Sequence, residues 1–330
     1  MAVDIKQFTT MKIGGLVARL SKITKSEDIP ALVEKAKESG LKFFVLGEGS
    51  NTVFRDKEHQ LLVGKMEIKD LKNRSNLLLA GAGENWDKLV SWSVVHGLSG
   101  LESLSGIPGT VGAAPIQNIG AYGSEIFRVL KYVEAYDIYK KEFVLLQNKE
   151  LKFKYRDSFF KQNPGRFVVL KVALRLNKNQ FPGIPNYKEV LTYFESRNLK
   201  SPNIQEIRDA ILEIRKTKLP DPSIIPNCGS FFKNPVVHSS IALKLKSKYE
   251  NLPIFPVDTK QSKISAGWLL EQAEFKGYNL GHVGTYKNNA LVLINKGDAT
   301  FAELDKLRNL IKQKILYIFG IQLEEEVNII

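Results

Sequence analysis

Seven glycines and two prolines fall between Gly97 and Gly123, in the run GLSGLESLSGIPGTVGAAPIQNIGAYG, whose single charged side chain is Glu102. A chain with 25% charged residues does not leave such a run bare against water. Glycine loses conformational entropy on folding, so its density points to backbone packed close against something. Thr110, Gln117 and Asn118 offer hydrogen bonds among side chains too small to block a flat ligand. A compact loop of turns accounts for the same spacing equally well. A second cluster, Gly47-Glu48-Gly49-Ser50-Asn51, can cradle an anion such as a pyrophosphate with successive backbone N–H groups, Ser50 and Asn51 adding side-chain donors. It is not a dinucleotide fingerprint. Thr52 stands where G-x-G-x-x-G needs its last glycine, and Thr52-Val53-Phe54-Arg55 reads as strand, not as the helix that a phosphate site requires.

The elements around these loops are legible from periodicity. Ser26 to Ser39 has helical spacing (Ile29, Leu32, Val33, Ala36) and stops at Gly40. Leu41 to Leu46 reads as a buried strand, so the Gly47 loop joins two strands. Asn85 to His96 reads as a helix with Trp86, Leu89, Val90 and Val94 on one side. From Val129 to Leu176 the pattern is mostly strand, interrupted by Tyr155-Arg156-Asp157-Ser158. Pro182 to Pro185 marks a boundary, and Tyr187 to Arg197 and Ile204 to Arg215 read as helices. Ser265 caps a helix containing Trp268, Leu269 and Ala273, and Ala290 to Asn295 is a buried strand. Thr300 and Glu303 form a capping box for a last helix with Leu304, Leu307, Ile311, Ile315 and Ile318 on its core face, ended by Gly320. A final strand is expected over Ile321 to Ile330, with Glu324 and Glu326 on the polar face and Glu325 breaking the apolar one.

The chain has 330 residues, 43% of them hydrophobic, enough for two or three domains with real cores. No run of about 18 uncharged apolar residues is present, so membrane insertion is not expected, and MAVDIKQFTTMKIGG lacks the apolar region of a signal peptide. One cysteine, Cys228, allows no intrachain disulfide and fits a reducing cytoplasm. The net charge of +13 comes from lysines spread along the chain, as a solvated surface would have them. The four histidines (His59, His96, His238, His282) show no metal-ligand spacing, and no metal is assigned.

Eight blocks in order, over nearly the whole chain, resemble the UDP-N-acetylenolpyruvoylglucosamine reductase family, the MurB family of UDP-N-acetylmuramate dehydrogenases. They are LGEGSN at Leu46 to Asn51, the glycine run, YRDS at Tyr155 to Ser158, KLPDP at Lys218 to Pro222, GSFFKNP at Gly229 to Pro235, SAGWLLEQAEFKGY at Ser265 to Tyr278, NALVLIN at Asn289 to Asn295, and LEEEV at Leu323 to Val327. The resemblance implies an α+β protein. An FAD-binding half of the vanillyl-alcohol-oxidase/PCMH type, two α+β subdomains at 1–65 and 66–180, would precede a C-terminal α/β substrate-binding domain at 200–320 and a strand at 321–330 carrying Glu326. It further implies non-covalent FAD, NADPH as co-substrate, and reduction of an enolpyruvyl UDP-sugar in cytoplasmic peptidoglycan precursor synthesis. A monomer is expected.

Residue by residue, the resemblance places FAD against Gly47, Glu48, Gly49, Ser50, Asn51, Ile107, Pro108, Gly109, Thr110, Gly112, Gln117, Asn118, Gly120, Ala121 and Arg215. It places the UDP-sugar against Tyr187, Lys218, Asn234 and Asn289, the last standing where many members carry glutamine. Phe255 stands where a tyrosine often covers the substrate; it can stack on uracil but cannot donate a phenol hydrogen bond. Adding hydride to an enol ether bearing a carboxylate builds negative charge that a cation must stabilise and a positioned acid must quench. Arg156 fits the cation, gripping a carboxylate bidentately, although an arginine's usual fate is a surface ion pair. Ser230 fits the proton donor, with Lys233 near in sequence, although a lone serine beside Gly229 is more often a turn residue. Glu326 fits the third group, because it precedes the valine, although three consecutive glutamates also suit a solvated edge. Two other classes compete. Another flavin oxidase leaves GSFFKNP and Glu326 unexplained, and a nucleic-acid-binding protein predicts clustered Lys/Arg with interleaved aromatics that this chain lacks.

Overall fold

The computed structural model of the chain describes residues 2–178 and 183–330. Pro182, one side of the expected boundary, and Gln180, the expected end of the second subdomain, lie outside the described residues. The chain divides into two compact units, each assembled from several stretches. The first takes Met1–Val3, Val17–Glu48 and Glu58–Lys216; the second takes Asp4–Leu16, Gly49–Lys57 and Thr217–Ile330.

In the first unit the strands Leu16–Ile23, Glu58–Met66 and Lys42–Leu46 lie side by side, Lys42–Leu46 running parallel to its neighbour. The helix Asp28–Glu38 separates the first and last of these in sequence and buries Ile29 and Ala36. A second sheet has five antiparallel strands in the order Glu142–Gln147, Leu130–Asp137, Phe167–Arg175, Leu77–Gly81, Leu71–Arg74. The helix Trp86–Val95 is capped by the Asn85 side chain and buries Trp86, Leu89, Val90 and Val94, as its spacing predicts. Trp86 satisfies its buried indole N–H on the Leu104 carbonyl at 3.0 Å. The helices Lys188–Glu195 and Ile204–Lys218 meet through Val190, Phe194, Ile207, Ala210 and Ile211.

The second unit holds an antiparallel sheet in the order Asn227–Ser230, Asn289–Asn295, Val283–Tyr286, Asn279–Leu280, and a smaller one of Val236–His238, Gln261–Ile264 and Ile254–Pro256. The helix Phe301–Phe319 lays Leu304, Leu307, Ile311 and Ile315, all fully buried, against Phe231, Phe232, Leu269 and Phe275. Each such side chain is worth about 1.5–3 kcal/mol of burial. The helix opens on the expected Thr300/Glu303 capping box and ends at Gly320, whose φ of 67° is the left-handed conformation that glycine adopts without strain.

The final strand differs from its expectation. Ile321, Leu323 and Val327 are buried and Gln322 and Glu324 exposed, so the alternation holds, but the ladder does not run through. Glu325 makes one antiparallel bridge with Phe232, the chain bends at Glu326, and only Asn328–Ile329 forms a strand, parallel to Thr52–Val53. Glu325 breaks the apolar face, and the chain turns at the next residue to change partners.

Glu303 sets a pH dependence. Its carboxylate accepts from the Thr300 and His282 backbone N–H groups at 3.0 and 3.1 Å, and these bonds pull its pKa from 4.5 to about 2. The stability so gained is present above pH 4.5 and is lost as the pH falls toward 2. Glu303→Gln should therefore lower stability at neutral pH, and the gap to the parent should close on acidification. Urea unfolding at a series of pH values checks this; a gap that stays constant with pH would refute it.

Candidate active site

In the first unit the two glycine segments meet. A Cβ at Gly47 would sit 2.5 Å from Thr110 Oγ1, and one at Gly112 would sit 2.5 Å from the Ala82 Cβ. Glu48 ties them together: Oε1 accepts from Asn85 Nδ2 at 2.7 Å and Oε2 from the Gly109 N–H at 3.0 Å. The backbone bonds Trp86 N to Gly109 O, Val111 N to Glu84 O and Gly112 N to Ala82 O, all at 2.9 Å, lace residues 82–86 to 109–112. Thr110 and Gly109 are buried, while Gly47, Glu48, Ile107, Gln117, Gly120 and Ala121 are half-buried and Pro108 exposed. Lys65 donates to the Gly47 carbonyl. Burial pushes its ammonium pKa down, against the pull of Glu48. Lys65 escaped the sequence reading; its signal was a lysine in the apolar run LLVGKM.

Arg215, expected at the cofactor, packs on the same run. Its Nε lies 2.9 Å from where a Gly106 Cβ would be, and its guanidinium hydrogen-bonds Tyr122. Beside it, Arg208 grips Asp87 bidentately at 2.7 and 2.8 Å, and Asp87 accepts from the Gly106 N–H at 2.6 Å. Burial alone would raise the Asp87 pKa, but Arg208 and the Gly106 N–H hold it below the ordinary carboxylate value. Asp87 and Arg208 were missed because a charge on a helix face reads as solvated until its partner on another helix is known. Tyr187 meets Tyr122 edge-on at 5.2 Å, and burial pushes its phenol up to about 12.

Arg156 also lies in the first unit. Its Nη2 donates to the Gly120 carbonyl at 2.7 Å, and its guanidinium carbon is 5.5 Å from the Tyr155 ring. The neighbouring Asp157 accepts from Gln162 Nε2 at 2.7 Å. The side chain of Asn118, expected at the cofactor, bonds Glu125, the Lys154 carbonyl and the Phe127 N–H within the protein.

The second unit gathers Ser230, Glu326, Asn51, Lys218, Asn234 and Asn289. Ser230 ends its strand opposite Val292, after Gly229 at φ 71°. The Phe231 N–H bonds the Leu291 carbonyl, and the Phe231 carbonyl accepts from the Glu326 N–H, both at 2.8 Å. Asn51 Nδ2 donates to the Glu326 carbonyl at 3.1 Å, so Glu326 is pinned through its backbone on both sides. The neighbouring glutamates go elsewhere. Glu324 pairs with Lys233 at 3.2 Å, and Glu325 accepts from Arg308 at 2.6 Å and Lys312 at 2.9 Å. Burial alone would raise the Glu325 pKa, but Lys312 and Arg308 keep it low. Asn234 Oδ1 accepts from the Ala266 N–H at 2.9 Å, ahead of a helix that Ser265 caps as expected, and Asn289 Oδ1 accepts from the Leu291 N–H at 3.1 Å. Lys218 ends its helix half-buried, and Phe255 is 42% exposed on a short strand.

Two family models match the chain. One, described as FAD binding domain, covers residues 17–140, and one described as UDP-N-acetylenolpyruvoylglucosamine reductase, C-terminal domain, covers residues 221–330. The UDP-N-acetylenolpyruvoylglucosamine reductase of Dechloromonas aromatica (strain RCB) is 40% identical over 98% of this chain and 97% of its own length. The chain belongs to the UDP-N-acetylenolpyruvoylglucosamine reductase family. A relative of the same name from Polynucleobacter asymbioticus is 41% identical over 93% of this chain and 90% of its own length. The crystal structure of the Thermus caldophilus reductase has the same fold, with a TM-score of 0.71 over 100% of this chain and 98% of that one, at 24% identity.

As a member of this reductase family with an FAD-binding domain, the chain is a flavin-dependent oxidoreductase. The paired glycine segments fit such a cofactor: at Gly47 and Gly112 no side chain has room, and Lys65 donates to the Gly47 carbonyl beside them. Among the described residues no group of three or more His, Cys, Asp or Glu could hold a metal ion, and no helix is long and apolar enough to cross a membrane.

Cys228, two residues before Ser230, is buried, and burial pushes its thiol up to about 12. A reactive cysteine needs an accessible thiolate, and this one has neither access nor charge. The native protein at pH 8 should resist iodoacetamide, and the urea-unfolded chain should take up one label per molecule by mass spectrometry. Rapid labelling of the native protein would contradict this placement.

Proposed function

We propose that this reductase takes its electrons from NADPH and reduces UDP-N-acetyl-3-O-(1-carboxyvinyl)-glucosamine to UDP-N-acetylmuramate in cytoplasmic peptidoglycan precursor synthesis, as a monomer. FAD, held by the segments at 47–51 and 107–112, would supply the hydride. Arg156 holds the carboxylate of the enolpyruvyl group and stabilises the negative charge that spreads into it. Ser230 delivers a proton from Oγ to the enolate carbon, and Glu326 helps to stabilise the enolate. Lys218 faces the diphosphate, Tyr187, Asn234 and Asn289 line the sugar nucleotide, and Phe255 stacks on the uracil without a phenol bond.

The observation that carries this reading is the sorting of the three glutamates. Glu324 and Glu325 are held by lysine and arginine, while the backbone of Glu326 is fastened to Phe231, next to Ser230, and to Asn51. A glutamate whose backbone is fixed this close to the proposed acid, following two others engaged elsewhere, supports a role in the same step.

The purified protein should show a flavin absorption spectrum that NADPH bleaches and the enolpyruvyl UDP-sugar restores. Ser230→Ala should leave reduction by NADPH intact and slow reoxidation by substrate about 10²–10⁴-fold. Arg156→Ala and Glu326→Gln should impair the same half-reaction. Parental reoxidation rates in Ser230→Ala would remove Ser230 from the mechanism, and a variant that merely lost FAD would refute the role given to its residue.

A further inference from the structure

Arg156 sits at φ 52°, a left-handed conformation that a residue with a side chain seldom adopts. It occupies the third place of a tight turn in which Lys154 and Asp157 exchange backbone hydrogen bonds at 3.1 Å in both directions. A positive φ at that place usually calls for glycine, and an arginine persists there when its surroundings over-determine the backbone.

The surroundings are specific. Asn118 is fully buried and itself at φ 52°. Its Nδ2 donates to the Lys154 carbonyl at 3.1 Å, the same carbonyl that closes the turn, and to Glu125 Oε2 at 2.8 Å. Its Oδ1 accepts from the Phe127 N–H at 3.3 Å. On the far side of the turn, Ser158, also fully buried, donates from Oγ to the Ile116 carbonyl at 2.6 Å. The run 116–120 thus holds the turn at its entry through Asn118 and at its exit through Ile116, and takes Arg156 Nη2 on the Gly120 carbonyl at 2.7 Å.

We infer that Asn118 is a positioning residue for Arg156: through the Lys154 carbonyl it fixes the left-handed turn that aims the guanidinium, with Ser158 securing the turn's other end. The inference rests on the proposed role of Arg156 as the cation that holds the substrate carboxylate. Asn118 never touches substrate; it acts by keeping the planar guanidinium fork in the orientation that two-point binding of a carboxylate demands. A misplacement of about 1 Å costs about 100-fold in rate, so a loosened turn shows in the chemistry.

The test is a double-mutant cycle on the full-length flavoprotein, reading the two half-reactions separately by stopped-flow absorbance. Asn118→Gly keeps a residue that tolerates positive φ and deletes all three side-chain bonds. It should slow flavin reoxidation by the enolpyruvyl UDP-sugar about 100-fold, at least tenfold more than it slows NADPH-driven reduction. In the Arg156→Ala background the same substitution should cost nothing further, because its target is gone. Equal slowing of both half-reactions, or full additivity with Arg156→Ala, would overturn the inference. If Arg156→Ala alone reoxidises at the parental rate, the role of Arg156 fails and is distinguished from failure of the positioning. Should Asn118→Gly not retain FAD, Ser158→Ala replaces it in the cycle and is judged by the same outcomes, with Ser158→Thr expected to recover most of the rate.

Discussion

Backbone approaching backbone is the constraint on which the first unit depends. Where Gly47 meets Thr110 and Gly112 meets Ala82, there is no space for even a methyl group. Close approach lets residues 82–86 and 109–112 exchange main-chain hydrogen bonds outside any regular sheet, and lets one carboxylate, that of Glu48, reach both Asn85 and the Gly109 N–H. The charged groups around the glycines lie at their margins: Lys65 on the Gly47 carbonyl, Asp87 on the Gly106 N–H, Arg215 against Gly106. Between them the segments 47–51 and 107–112 carry one carboxylate, that of Glu48, engaged by Asn85 and the Gly109 N–H.

Each unit fastens its candidate residues by backbone more than by side chain. Glu326 is held through its N–H and C=O, and the Arg156 turn closes on reciprocal main-chain bonds. The glutamate triplet shows the economy of the arrangement: three identical residues in a row receive three different environments because the chain changes partner strand at the third.

Much of this was legible in the residues. Helices with a single apolar stripe, such as Trp86–Val95 and Phe301–Phe319, announce themselves by period and by their caps. The glycine run announced close packing. The final ten residues did not give away their bend, since apolar alternation survives a change of partner, and burial follows Ile321, Leu323 and Val327 either way. Long-range polar pairs were also hidden. Arg208 with Asp87 and Asn118 with Lys154 join segments far apart in sequence, and spacing carries no information about such pairs. Asn118 is the instructive case: its side chain bonds Glu125, the Lys154 carbonyl and the Phe127 N–H, partners that no spacing in its own motif announces.

The interleaving of the second unit has a consequence for how the protein is made. Thr52–Val53 pairs with Asn328–Ile329, and Asn51 reaches the Glu326 carbonyl 275 residues away. Synthesis runs from the N-terminus, so the early segment must wait for Asn328 and Ile329 to emerge before its edge is matched. Contacts so distant in sequence form slowly, because the entropy of closing the loop is lost before any contact rewards it. A nascent chain therefore cannot complete its second unit piecemeal, and a stalled ribosome yields a product with Thr52–Val53 still waiting for its strand.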